Sequence, residues 1–287
     1  MPVHLPTGRS VILIEGEDAE HFLQNLVTCD LGSLQEGVAR AGALLAPQGK
    51  VLFDFLIFRV GADAFMIDIR SDVAADFIRR LTLYKLRAKV EIGESEESLV
   101  AISWENDSSD IAAARAVRDS RFVEEIGVTR HYGDAISGRN DKADAWNALR
   151  VSHGVAESGP DFALGEAFPH DISLDQNDGV DFRKGCYVGQ EVVSRMQHRG
   201  TARRRIVIVE SAEPLPAPGT AIETGGKPVG TLGTVAGERA LAIVRLDRAR
   251  DAREKGMPIV AGDTPVELTL PRGVSYDWPN DTAAADD

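Results

Sequence analysis

Apolar positions change texture along the chain. The first two thirds mixes strand-like apolar runs with helix-like spacing, and the last third has only short strand-like runs between Gly and Pro. Val11-Ile12-Leu13-Ile14 reads as a buried strand broken by Gly16. Glu17 and Asp18 then put negative charge at a helix start, where the dipole favours it, and Phe22, Leu23 and Leu26 give that helix an apolar face. Residues 37–45 read as a strand and Pro47-Gln48-Gly49-Lys50 as a turn. Residues 51–60 form a long strand that Gly61-Ala62-Asp63 returns into 64–69, a β-hairpin by its turn chemistry. Ser71 is placed to cap a helix through Phe77, Ile78 and Leu81, with strands expected over 84–92 and 99–104. Glu94, Glu96, Glu97, Glu105, Asp107 and Asp110 read as solvated surface around the second of these, and His131-Tyr132 as loop surface. A helix over 141–151 is expected to end at Gly154. Residues 155–188 carry many Gly, Pro and Asp and little periodicity, the mark of a functional or disordered loop. A short helix follows over 190–197.

Beyond Gly200, residues 205–210, 228–236, 240–246 and 264–270 are short strands, which predicts a separate small β-barrel or sandwich. Gly225-Gly226-Lys227 precedes a strand rather than a helix, so it reads as a turn and not as a phosphate loop. Residues 273–287 hold four acids and no base and read as a disordered tail. The division is therefore an α+β region over 1–200, a barrel over 201–272 and a tail over 273–287.

Composition narrows the functional classes. Of 287 residues, 43% are hydrophobic and 27% charged, which excludes wholesale disorder. No apolar run approaches the roughly 18 residues of a membrane span. A net charge of -13 argues against a general nucleic-acid binder while leaving room for a local basic patch. Two cysteines exclude a disulfide scaffold, and with no secretory pattern at Met1-Pro2-Val3-His4 they point to the cytosol. Two distant cysteines and six scattered histidines lack zinc-site spacing, so no metal site is expected.

The chemistry concentrates in Asp181-Phe182-Arg183-Lys184-Gly185-Cys186-Tyr187-Val188-Gly189-Gln190-Glu191. Cys186 stands just before a helix start with Arg183 and Lys184 beside it, a setting that favours thiolate. Residues 183–205 hold seven Lys or Arg against one acid, a local reversal of sign that suits an anion. The residues alone leave a second reading open for each feature: a buried inert thiol and a solvated basic face. Cys29 reads as core or near-surface.

Lys184-Gly185-Cys186-Tyr187-Val188-Gly189-Gln190-Glu191, followed by Arg195-Met196 and Arg199-Gly200, resembles the signature of the YgfZ family. Those are folate-binding proteins related to the glycine-cleavage T-protein that assist iron–sulfur cluster assembly or repair. Phe22-Leu23-Gln24 with Thr28 and Asp30, Pro47–Lys50 with Phe53-Asp54, Tyr84 with Leu86-Arg87, and Leu149-Arg150-Val151 with Gly154 extend the resemblance over nearly the whole chain.

The resemblance implies a three-module ring: two α+β units interleaved in sequence, closed by a C-terminal β-barrel, with tetrahydrofolate or a one-carbon derivative in the opening. It assigns Cys186 the reactive role. Gln24, Asp54 and Arg150 become the polar set around the pterin, and Lys184, Tyr187, Gln190, Glu191 and Arg195 further candidates at the cleft. The implied partners are a reduced folate and iron–sulfur carrier or client proteins. The T-proteins carry two successive acids where this chain has Phe53-Asp54, and a Glu where it has Ser152, so aminomethyl transfer is not expected. Pro169-His170-Asp171-Ile172-Ser173-Leu174 stands where the family commonly has Pro-x-Glu-x-Asn-Leu, with shorter side chains at Asp171 and Ser173. A folate-dependent methyl or aminomethyl transferase and a tRNA-modification factor are the alternative functions.

Overall fold

The computed structural model describes residues 2–105, 111–134, 141–200 and 202–279; Asp107 and Asp110 of the acidic stretch and residues 280–287 of the tail lie outside them. By contacts the chain forms two compact units, Met1–Trp146 with Asn177–Ser194, and Asn147–Gln176 with Arg195–Asp287.

The first unit contains β1 (Val3–His4), β2 (Arg9–Glu15), α1 (Ala19–Gln24), β3 (Val38–Leu45), β4 (Val51–Gly61), β5 (Ala64–Arg70), α2 (Ser71–Lys85), β6 (Glu91–Glu94), β7 (Leu99–Ser103), β8 (Arg115–Asp119) and β9 (Thr129–Gly133). The strands form one sheet in the order β1-β7-β9-β8-β3-β4-β5-β2-β6, antiparallel except for the β3–β8 pair. Alternation along β4 decides its two faces. Phe53, Phe55 and Ile57 enter a core with Ala74, Phe77 and Leu81 of α2, residues spaced three and four apart on one helix face. Asp54, Leu56 and Phe58 point the other way.

Two expectations are corrected here. Tyr84 lies in the last turn of α2, and the strand expected over 84–92 is only Glu91–Glu94. The amphipathic face of α2 simply continues, since Tyr84 packs on the core served by Phe77 and Leu81. His131 and Tyr132 are not loop surface. They lie in β9, 2% and 0% exposed, and the His131 ring hydrogen-bonds Ser103 Oγ at 2.9 Å. β8 and β9 look polar in sequence because their buried residues include Asp119, Arg130 and His131.

Asp119 and Arg130 belong to a buried ionic network. The Asp68 carboxylate accepts from Arg9 Nε (2.6 Å), Arg130 Nη1 (2.6 Å) and the Tyr132 hydroxyl (2.9 Å). Asp119 accepts from Arg130 Nε (2.9 Å) and Arg121 Nη2 (2.7 Å). Asp68 and Arg130 sit on strands four places apart in the sheet order, so the network closes the inside of a strongly curved sheet. Burial alone would raise the Asp68 and Asp119 carboxyls, but the adjacent guanidiniums outweigh it and hold both below the ordinary carboxylate range. Burial, reinforced by the Asp68 charge, pushes the Tyr132 phenol well up.

The second unit is a seven-stranded antiparallel sheet made of β10 (Arg204–Glu210), β11 (Ala221–Thr224), β12 (Lys227–Ala236), β13 (Arg239–Arg245), β14 (Ile259–Ala261), β15 (Thr264–Pro265) and β16 (Glu267–Thr269), in the order β15-β14-β11-β12-β13-β10-β16. Gly225 and Gly226 both have positive φ (54° and 72°) and close a two-residue hairpin, as their sequence context predicts. The core gathers Val207, Val209, Ile222, Leu232, Ala242 and Val244 with Leu246, Ala249 and Ala252 of a helix, Leu246–Glu254, that the sequence reading did not foresee. The described part of the expected tail is also not free. Tyr276 and Trp278 pack on this core, and the Tyr276 hydroxyl donates to the Ile206 carbonyl at 2.8 Å. Two further helices, Ala143–His153 and Gln190–Arg199, begin in the first unit and end in the second.

Removing one member of the buried network leaves an uncompensated charge, so Asp68→Asn is expected to lower stability by about 3–5 kcal/mol in urea unfolding. Because the folded carboxyls titrate below the unfolded value, the network's contribution is present at neutral pH and is lost as pH falls below about 4. The wild-type urea midpoint should drop steeply there, and the drop should be smaller in Asp68→Asn.

Candidate functional site

The site is built on Thr28. Its N–H donates to the Ala43 carbonyl at 3.0 Å, and its hydroxyl accepts from Ala43 N–H at 2.9 Å and donates to the Gly179 carbonyl at 2.5 Å. The Thr28 carbonyl accepts from Asp181 N–H at 2.9 Å. One residue thus pairs with β3 on one side and with the incoming 177–189 segment on the other. The Asp181 carboxylate accepts from the N–H groups of Arg183 (2.6 Å) and Lys184 (2.8 Å), which bends the chain.

Lys184 then reaches back. Its ammonium donates to the carbonyls of Val27 at 2.8 Å and Cys29 at 2.7 Å, and lies 5.4 Å from the Tyr187 ring centroid. Burial pulls its pKa down, opposed by the thiol of Cys29 and the carboxylates of Asp30 and Asp181. Two residues farther on, Cys186 is exposed. Tyr187 is 6% exposed, its hydroxyl has no hydrogen-bond partner, and burial pushes its phenol up. Gly189 (φ 81°) turns the chain into the Gln190–Arg199 helix. A Cβ there would come within 2.5 Å of the Ala46 carbonyl oxygen, so only glycine lets the segment seat against the Pro47–Lys50 turn.

The other expected site residues divide sharply. Gln24 uses both ends of its amide: Nε2 donates to Asp30 Oδ1 at 2.7 Å, and Oε1 accepts from Leu31 N–H at 2.9 Å. Burial of Asp30 is outweighed by hydrogen bonds including those from Ser33 and Gln24, which hold its carboxyl below the ordinary range. Asp54 is half-buried on β4 opposite Ala43, with no hydrogen bond or ion pair among the described residues. Gln190 is half-buried and Glu191 exposed at the start of the helix. Arg195 is exposed and falls in the second unit.

Arg150 also belongs to the second unit, 2% exposed. Its guanidinium donates to the Val155 carbonyl (3.0 Å), Asp161 Oδ2 (2.8 Å), Asn147 Oδ1 (3.0 Å) and Thr234 Oγ1 (2.9 Å). The side chains of Arg150 and Gln24 are thus both hydrogen-bonded within the protein. The basic run divides. Lys184 is turned inward, and Arg205 is buried in an ion pair with Asp175 (2.7 Å), so the seven cations do not make one anion patch. Asp171 caps its own turn, accepting from Phe168 N–H at 3.1 Å. Among the described residues no three His, Cys, Asp or Glu side chains group to hold a metal ion.

Cys29 is fully buried, and burial raises its thiol to about 11. A Cβ at Gly42 would touch its sulfur at 2.9 Å, so this cysteine is a packing residue. What the sequence did not single out is the staple itself. Thr28 and Lys184 are ordinary residues until the fold brings together positions more than 150 apart.

Two family models match the chain: the GCVT N-terminal domain over residues 9–104 and the CAF17 C-terminal beta-barrel domain over 203–276. The crystal structure of the glycine cleavage system aminomethyltransferase T from Bartonella henselae superposes with a TM-score of 0.67 at 13% identity, covering 95% of this chain and 85% of that one. The fold is the α+β fold of the T-proteins, ending in a β-barrel. By sequence the chain is similar to proteins named iron-sulfur cluster assembly factor IBA57, mitochondrial. It is 28% identical to those of Mus musculus (94% of this chain, 83% of the relative) and Homo sapiens (95% and 84%). It is 30% identical to the Neurospora crassa homolog over 70% of this chain and 52% of that protein, so the chain spans about half the length of the fungal relatives it matches. These names overturn the cytosolic expectation, since the relatives are mitochondrial. Free cysteines mark a reducing compartment without saying which one, and the mitochondrial matrix is also reducing. Among the described residues no helix is long and apolar enough to cross a membrane.

Two checks follow from the geometry. A thiol reagent should modify Cys186 rapidly in the native protein and Cys29 only after denaturation. Gly189→Ala, strained at φ 81° and pressed against a carbonyl, should cost more than about 1 kcal/mol and raise hydrogen exchange over residues 179–190.

Proposed function

We propose that this protein is an assembly or repair factor for iron–sulfur clusters, with Cys186 as its cluster- or partner-engaging thiol and a reduced folate, tetrahydrofolate or a one-carbon derivative, as its ligand. The observation that carries the reading is the presentation of Cys186. It is the exposed one of two cysteines, and it stands on a loop fixed on both sides by Lys184 and Gly189. Iron–sulfur clusters are held chiefly by thiolates, commonly four of them. A chain with two cysteines, one of them buried, cannot enclose such a cluster alone, so any cluster it handles is shared with another protein's ligands. The similarity to the IBA57 factors supports the same role.

The residues fit a folate in part. Asp54 is a half-buried carboxylate with no partner, suited to accept the N–H groups of a pterin ring, and the Tyr187 hydroxyl is a second unsatisfied polar group. A bound folate would supply a flat apolar surface and a carboxylate tail; the chain's own part is to orient it through Asp54 and to keep the Cys186 thiol accessible. Gln24 and Lys184 support this indirectly, by shaping the 27–34 segment and the cysteine loop. Aminomethyl transfer is disfavoured by packing. Phe53, where the T-proteins carry an acid, is 8% exposed and meets the Phe77 ring at 5.3 Å, so an acid there would be buried in apolar core. Neither the transferase nor the tRNA-modification alternative has an observation in its favour.

Cys186→Ser should leave the circular dichroism and melting temperature unchanged and fail to restore iron–sulfur enzyme activities in a strain lacking the gene. Full restoration would make the thiol dispensable. Calorimetric titration with tetrahydrofolate should give a dissociation constant of about a micromolar or tighter, weakened about tenfold or more by Asp54→Asn. Absence of heat and of competition at high ligand would remove the folate claim.

A further inference from the structure

We infer that the turn following α2 is a docking knob for a protein partner presenting an apolar cleft rimmed by carboxylates; resting on the function proposed above, that partner is the iron–sulfur carrier. The turn Lys85-Leu86-Arg87-Ala88 is closed by the Ala88 N–H donating to the Lys85 carbonyl at 2.8 Å. Leu86, at its first central position, has φ 46° and ψ -104°, the geometry of a type II′ turn, which favours glycine there. A leucine in this conformation is strained, and its side chain is 89% exposed, so burial within the protein does not compensate. Leu83, three residues earlier, is 68% exposed. Elsewhere α2 obeys the amphipathic rule, with Ala74, Phe77 and Leu81 buried.

Charge says what covers the two leucines. Residues 79–89 hold five Lys or Arg and no acid, in a chain of net charge -13. Arg79 pairs with Asp76 and Lys89 with Glu17. Arg80 and Arg87 are exposed and have no partner among the described residues. An apolar centre ringed by unpaired guanidiniums is the anatomy of a protein-binding patch whose partner supplies carboxylates. The observations do not favour a membrane or a nucleic acid. Two leucines without an aromatic or a long apolar face make a poor lipid anchor, and the net negative charge repels phosphate-rich surfaces. The knob also shares a core with the site. Val188, two residues after Cys186, packs on the cluster that holds Phe77, Leu81 and Tyr84, so a partner gripping this turn is held by the body that carries the thiol.

Leu86→Gly makes a clean test because glycine relaxes the turn while removing the knob. The full-length protein and its Leu86→Gly and Arg80→Glu/Arg87→Glu variants are titrated against the purified apo iron–sulfur carrier of the same organism, by sedimentation velocity at low and high salt. Leu86→Gly should melt at or above the wild-type temperature and bind the carrier about tenfold or more weakly. The double arginine variant should bind weakly and lose the salt dependence. Wild-type-like binding by both knob variants overturns the docking inference and leaves the proposed function standing. Absence of any wild-type binding also overturns it, and the function then rests on the Cys186→Ser complementation alone. Knob-dependent self-association, or knob-dependent binding to phosphatidylglycerol vesicles or tRNA, assigns the turn to another occupant and overturns it likewise.

Discussion

The ammonium of Lys184 on the carbonyls of Val27 and Cys29 is the constraint from which the rest of the site follows. A charged group with little access to water must find strong acceptors, and two peptide carbonyls supply them. In meeting that need Lys184 fixes a segment that has no secondary structure of its own to hold it. The chain on either side then has few options. Gly185 and Cys186 are left outside, while Tyr187 and Val188 turn inward. The exposure of the thiol is a by-product of where the lysine is anchored.

The same logic runs on a larger scale in the curved sheet. Arg130 joins Asp68 and Asp119, and Arg9 and Tyr132 complete their hydrogen bonds. An apolar core tolerates many packings, but a buried carboxylate accepts only the geometry that satisfies it. The network therefore specifies curvature more than it adds stability, and curvature sets where β3 and its neighbour Thr28 meet the returning chain. Specificity of this kind is attested in some proteins and not in others. Here the observation behind it is that one carboxylate collects donors from β2 and β9, which are not neighbours in the sheet.

Much of the fold was legible because it follows period and punctuation. The β4–β5 hairpin, the buried face of α2 and the paired glycines at 225 and 226 all came from local rules. Strands β8 and β9 were not legible, since Arg130, His131 and Tyr132 count as polar until their partners are known, and those partners lie as far away as residue 68. The motif around Cys186 was legible as a pattern, and its thiol stands exposed. The roles inside the motif were less legible. The sequence does not show that Lys184 reaches back to the carbonyls of Val27 and Cys29, or that Arg150 bonds Asp161 and Thr234 within its own unit. Long flexible cations are ambiguous in sequence because the same ammonium or guanidinium serves a ligand or a backbone carbonyl equally well.

The order of the chain has a consequence for biosynthesis. The nine-stranded sheet is complete by residue 133, yet the segment that carries the thiol belongs to the same unit and is separated from it by thirty residues that join the other unit, Asn147–Gln176. A ribosome delivers the sheet first and the cysteine loop seconds later. Until residues 179–184 emerge, the Thr28 hydroxyl lacks its acceptor at Gly179, and the carbonyls of Val27, Thr28 and Cys29 lack their donors at Lys184 and Asp181. A nascent or prematurely terminated chain can therefore hold the strands of the sheet and carry no exposed thiol.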